Sequence, residues 1–374
     1  MAIRPGAAGS HRLNDPTQSG LLMRLHIDAP LLLGLLLLCA FGLVVLFSAT
    51  DQDLDAVERQ LVRLTLAFGL MFAVAQVHPY QLRRWSLPLY VLGVLMLVAT
   101  LLVGDVGKGA QRWLDLGVVR FQPSEMLKLA VPMTIAWVLA DRSLPPRLGR
   151  VFAATVLMLI PVLLIAKQPD LGTAILVAAA GVTVLFIGGL SWRIILMVAA
   201  AAAALAPLLW YRMHDYQRQR VLTFLDPTSD PLGTGYHIIQ SQIAIGSGGL
   251  HGKGWLLGTQ SHLEFLPEHH TDFIFAVIGE EFGLTGILVL LSLYLFIIYR
   301  GLSIAVNAPD TYGKVLAGGL SLVFFVYVFV NTGMVTGLLP VVGVPLPLVS
   351  YGGTSMVTLM VGFGMLMAVQ THRK

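Results

Sequence analysis

The stretch Ala29–Thr50, APLLLGLLLLCAFGLVVLFSAT, runs for 22 residues without a charge. A helix needs about 20 apolar residues to cross the hydrocarbon core of a bilayer, so this one is long enough. It is too long for the core of a secretory signal, and no small-residue cleavage site follows it. It therefore reads as a membrane-spanning helix. The rest of the chain agrees. Of 374 residues, 56% are hydrophobic and only 12% charged, with mean hydropathy +0.79. Soluble domains carry about 25% charged residues.

Nine further runs have the length and apolarity of spans: 59–77, 85–103, 123–140, 150–167, 170–190, 192–211, 272–299, 314–339 and 351–370. The expected fold is an all-α polytopic membrane protein of about ten transmembrane helices. Residues 1–28 are polar and read as a disordered cytoplasmic leader, followed by one membrane domain over 29–371. The lone cysteine, Cys39, allows no intramolecular disulfide. No basic stripe or aromatic RNA motif points to nucleic acid.

An even number of spans puts both termini on one side. With the termini inside, 13 of the 24 Lys and Arg residues fall inside, accompanied only by Asp15, Asp28, Asp141 and Asp310. The short loops 78–84 and 141–150 are both basic, which by the positive-inside rule makes the termini cytoplasmic. The longest polar segment, 212–271, then lies outside, between the seventh and eighth spans. It contains a short helix expected over Tyr236–Gly246 and the glycine-rich turn GSGGLHGKGWLLG (246–258).

In this topology the even-numbered spans begin at the outer surface, and three begin alike. FQPSEMLK places Glu125 and Lys128 in the first turns of the fourth span. KQPDLGT places Asp170 at the sixth, and PEHHTDF places Asp272 at the eighth. Proline at or before a first turn, with an acid to cap free N–H groups, is ordinary helix-start chemistry. For Asp170, capping is the favoured explanation. Yet ionisable groups at membrane depth are costly and mark functional sites, and helix N-termini attract anions. Three such starts converging on one outer cavity would suit an anionic ligand such as a lipid pyrophosphate. Further cations lie in the outer segments: Arg59, Arg63, Arg112, Arg120, Lys167, Arg212, Arg218, Arg220 and Lys253.

Other clusters are less specific. His262, Glu264, Glu268, His269 and His270 lack the spacing of a zinc motif, leaving open a carboxylate Mg²⁺ or Mn²⁺ site that uses Asp272. IGSG (245–248) misses the glycine of an intramembrane serine protease, and no Walker A motif occurs. LPLVSYGGTS (346–355) offers Ser350 and Thr354 as hydrogen-bond donors to a ligand, or small residues for close helix packing.

LEFLPEHHTDFIFAVIGEEFG, GAQRWLDLGVVRFQPSEMLKLA, QPDLGTA, GTGYHIIQSQIAIGSGGLHGKGWLLGTQ and LPVVGVPLPLVSYGGTS, in this order, resemble the SEDS family (shape, elongation, division and sporulation), in its elongation-type branch. The resemblance spans nearly everything after about residue 25. It implies a peptidoglycan glycosyltransferase that polymerises lipid II on the outer face of the bacterial cytoplasmic (inner) membrane. The family's essential aspartate falls on Asp272, its PSE glutamate and following lysine on Glu125 and Lys128, and its QPD aspartate on Asp170. The partners implied are lipid II and undecaprenyl-linked glycan, membrane lipids, a class B penicillin-binding transpeptidase and the MreC/MreD elongation machinery. Leu348 and Thr354 stand where many members have Phe and Ser, and His269 where arginine is common.

Such a reaction needs a base for the attacking hydroxyl and positive charge for the departing pyrophosphate. Asp272 is the expected base. Lys128, with Arg212, Arg218, Arg220 or Lys253, is the expected clamp, with Glu125 positioning Lys128 and Asp170 shaping the cavity. A lipid II flippase is the rival, because proline-broken helices and buried charges also mark transporters. It would show its carboxylates to both sides in turn.

Overall fold

A computed structural model describes residues 25–107, 110–115, 120–140, 145–212, 215–229, 234–259 and 270–372. The polar leader 1–24 lies outside these residues, as do Glu264, Glu268 and His269. The helices are α1 (Ala29–Ala49), α2 (Leu54–Ala75), α3 (Pro79–Val103), α4 (Pro123–Ala140), α5 (Leu148–Lys167), α6 (Leu171–Ile187) and α7 (Trp192–Arg212). They continue with α8 (Asp215–Leu225), α9 (Thr234–Gly248), α10 (Ile274–Val306), α11 (Thr311–Val335) and α12 (Thr354–Thr371). All ten apolar runs are helical. Among the described residues, six of these helices are long and apolar enough to cross a membrane unaided: α1, α3, α5, α10, α11 and α12. The others fall short for visible reasons. The first turns of α2 carry Asp55, Glu58, Arg59 and Arg63, and α6 has only 17 residues.

The structure corrects several expectations. The eighth span runs on to Val306, and the last starts at Thr354 rather than 351. The helical membrane fold stands, with one small addition: β1 (Asp105–Gly107), β2 (Ala110–Asp115) and β3 (Arg120–Phe121) form an antiparallel ribbon of order β1-β2-β3 between α3 and α4. The expected short helix in the long loop is α9, and it packs on α10.

Helix starts are fixed by side chains the sequence supplies. Asp28 accepts from Leu31 N at 3.0 Å to cap α1, and its carboxylate also takes two bonds from Arg300 on α10. Asp170 caps α6 and Asp310 caps α11. Among the described residues, two large apolar clusters fill most of the bundle, beside a small third one between α6 and α11. One large cluster joins α1, α2, α10 and α12, and the other joins α3, α4, α5 and α6. Helix α11 lies between them, packed on α4, α6, α10 and α12, and its Phe324 ring meets Phe363 edge-on at 5.0 Å. Large apolar side chains left on the surface, such as Leu33, Leu36, Leu92 and Leu95, face outward as lipid contact requires.

Helix α10 is interrupted at Gly283, whose φ of 62° and ψ of −158° are outside helical values. The glycine-rich loop fills the break. Lys253 N donates to Glu280 O at 2.9 Å and Gly254 N to Glu281 O at 3.0 Å. In return Leu284 N donates to Gly249 O and Thr285 N to Leu250 O. The approach needs glycine: a Cβ on Gly252, where φ is +79°, would stand 2.1 Å from Glu281 O.

Candidate active site

The N-terminal ends of α4, α6 and α12, the segment 342–345 and the turn leading into α10 surround a cavity of about 430 Å³. Glu125, Lys128, Asp170 and Asp272 all line it, so the three similar helix starts do converge. The cavity lies at the end of α12 opposite His372, which stacks on His26 with ring centroids 3.9 Å apart.

Glu125 and Lys128 form an ion pair at 2.7 Å, one turn apart on α4, and both are buried. Thr358 of α12 donates to the other Glu125 oxygen at 3.0 Å. The Lys128 ammonium lies 5.6 Å from the centre of the Tyr327 ring on α11, within cation–π reach. Lys128 and Tyr327 also line a second, much narrower apolar slot of about 20 Å³ between α4, α11 and α12, with Leu320, Phe324 and Gly362 in its walls.

Asp170 accepts from Thr173 N at 3.2 Å, as a cap should, and its second oxygen receives Gln122 at 3.4 Å. The same oxygen lies 3.4 Å from Arg112 Nε on β2. The β-ribbon thus delivers a cation to the cavity wall.

Asp272 is half-buried and precedes Phe273, which is the N-cap of α10. Its turn is strapped to the segment before α12. Tyr351 N donates to His270 O at 2.9 Å, and Ser350 Oγ donates to Thr271 O while accepting from Leu346 N. Gln60 of α2 holds that segment in turn, through Ser350 O and Gly352 N. Tyr351 stands at the cavity rim, its hydroxyl 3.3 Å from Arg59 Nε and its ring under Arg63 at 4.6 Å. Partial burial acts to raise the Tyr351 phenol, but the hydrogen bond from Arg59 and the charge of Arg63 outweigh it and hold the phenol below its ordinary value.

Not every predicted residue reaches this cavity. Lys253 is bound to Glu280 at 2.6 Å and to Thr259 at 2.7 Å, clasping the loop to α10 rather than lining the cavity. Arg218 donates to the Trp210 and Tyr211 carbonyls. The side chains of Arg212 and Arg220 lie outside the described residues. Ser350 is committed to the backbone bonds above, whereas Thr354 opens α12 on the cavity wall. Among the described residues, no group of three His, Cys, Asp or Glu side chains is spaced to hold a metal ion. Gln122, Tyr327 and Thr358 join the site without having been singled out as ligands.

The match to the family described as "Cell cycle protein" (FtsW, RodA, SpoVE) covers residues 26–374. The chain belongs to that family. Peptidoglycan glycosyltransferase MrdB of Escherichia coli K12 is 55% identical over 96% of this chain and 98% of its own. A probable peptidoglycan glycosyltransferase FtsW of Geobacter metallireducens is 35% identical over 93% of this chain and 95% of its own. Among solved structures, the rod shape determining protein RodA of Thermus thermophilus superposes with a TM-score of 0.70 at 30% identity, covering 93% and 98% of the two chains. A chain from a peptidoglycan synthase complex that coordinates polymerization and crosslinking gives a TM-score of 0.80 at 35% identity, covering 92% and 97%. In this FtsW/RodA/SpoVE chain the cavity is therefore carried on a family-wide, multi-pass membrane fold.

Proposed function

We propose that this chain is a peptidoglycan glycosyltransferase that polymerises lipid II into glycan strands, with Asp272 as general base. The observation that carries the assignment of residues is the convergence, in one cavity, of Asp272 with the Glu125–Lys128 and Asp170–Arg112 pairs. The acceptor sugar 4-hydroxyl attacks the anomeric carbon of the growing strand as its proton passes to Asp272. The new O–C bond forms as the bond from that carbon to pyrophosphate oxygen breaks. Lys128 and Arg112 stand where they can stabilise the charge gained by the departing lipid pyrophosphate. Glu125 and Asp170 hold these two cations in place.

Basic residues in the short loops 78–84 and 141–150 favour cytoplasmic termini and a cavity facing outward. Lipid II is then used after it has crossed the cytoplasmic membrane. A class B penicillin-binding transpeptidase is the natural partner for cross-linking the product, and MreC and MreD are the proposed elongation partners. Purified protein incubated with labelled lipid II should give glycan polymer on a gel, and Asp272→Ala should give none while inserting and folding normally. Full polymerisation by Asp272→Ala would remove Asp272 from the chemistry.

A further inference from the structure

Asn331 is a fully buried amide in the otherwise apolar stretch of α11. Its Nδ2 lies 2.9 Å from Asp272 O and 2.6 Å from Val344 O. Both neighbours are main-chain carbonyls, which only accept, so the orientation of the amide is settled by chemistry. Its own Oδ1 is buried and meets no hydrogen-bond donor among the described residues. A buried acceptor without a partner is unfavourable. An apolar side chain of the same size would remove that cost, but it would leave two carbonyls without their donor. What Asn331 contributes is therefore the pair of N–H groups.

Those groups act where Asp272 is held. The carbonyls of the turn are each engaged: His270 O by Tyr351 N, Thr271 O by Ser350 Oγ, Asp272 O by Asn331, and Phe273 O by Ala276 N. Three of these four restraints come from α11 and the segment before α12. The second Asn331 bond fixes Val344, next to Gly343. A Cβ placed on Gly343 would lie 3.4 Å from Asp272 Oδ2, so this backbone forms the wall beside the carboxylate. One amide thus joins the backbone that carries the carboxylate to the wall it stands against.

We infer that Asn331 is a positioning residue for glycosyl transfer: it sets the place of the Asp272 carboxylate in the cavity without touching substrate. The inference rests on Asp272 being the base. A displacement of about 1 Å at a reacting group can cost on the order of a hundredfold in rate. Asn331→Leu keeps the size and removes both donors, and Asn331→Asp keeps the shape and leaves at most one O–H to serve the two carbonyls. Each should lower kcat for labelled lipid II ten- to a hundredfold. KM should stay within about twofold, because substrate binding is left alone. Thermal stability in nanodiscs is measured beside each, and Asn331→Asp serves if Asn331→Leu does not fold.

Asp272→Ala is run in the same series. If it is inactive while a folded Asn331 variant polymerises at the parental rate, the positioning role is overturned and the base assignment stands. If Asp272→Ala is itself active, the base assignment fails first. A loss seen only as raised KM, or only in step with lost folded protein, also overturns the positioning role.

Discussion

Lys128→Met breaks the ion pair in the cavity wall. The charges are 2.7 Å apart and both residues are less than a tenth exposed. At an effective dielectric constant of about 20, charges 2.7 Å apart attract by roughly 6 kcal/mol. The cost of drying both groups cancels most of this, so the intact pair adds little net stability. Removing one member is different. Glu125 would keep only its bond from Thr358, and an uncompensated buried charge costs about 3–5 kcal/mol. Lys128→Met should therefore unfold at a clearly lower temperature in nanodiscs. The double variant Glu125→Gln/Lys128→Met removes both charges and should recover most of that stability. Activity should behave otherwise. Loss of one preorganised charge facing a developing anion costs on the order of a hundred- to a thousandfold in kcat, and the double variant still lacks it. Lipid II polymerisation should stay low in both. Recovery of polymerisation together with stability in the double variant would show that Lys128 serves the fold and not the leaving group.

Two glycines offer further tests. Gly343 has φ +71° and faces Asp272. Gly343→Ala should cost about 1–2 kcal/mol in backbone strain and lower kcat several-fold in the polymerisation assay. Gly252→Ala drives a methyl into Glu281 O, whereas Gly249→Ala, at φ +55° with open space around it, meets only strain. Limited proteolysis of the 246–258 loop should be much faster in Gly252→Ala than in Gly249→Ala, and equal rates would contradict the clasp.

The spans were legible in the sequence because a bilayer demands about 20 apolar residues wherever a helix crosses, and that demand is local. Helix starts were legible for the same reason: proline and a capping acid lie within a few residues of the end they mark. Asp170 shows the limit. Capping and lining the cavity are both true of it, and only the second depends on Arg112, 58 residues earlier in the chain. Lys253 was expected to meet ligand as a cation of the outer segment, and Ser350 as a hydroxyl beside glycines. Their true partners, Glu280 and the Thr271 carbonyl, are set by tertiary approach that spacing does not encode. The β-ribbon went unread because its strands are short and interrupted by glycine, with no sustained alternation. Asn331 left one available signal, a lone amide in an apolar helix, which in a membrane span is itself unusual.

The break in α10 separates covalent order from mechanical order. The eight residues from Ile274 to Glu281 belong to the same helix as the long segment that follows, but at Gly283 their hydrogen-bond ladder passes to the loop 249–254. That short half-helix, with Asp272 just before it, is spliced to a surface loop. The half-helix that follows Asp272 is therefore held by the loop as much as by the helix it belongs to.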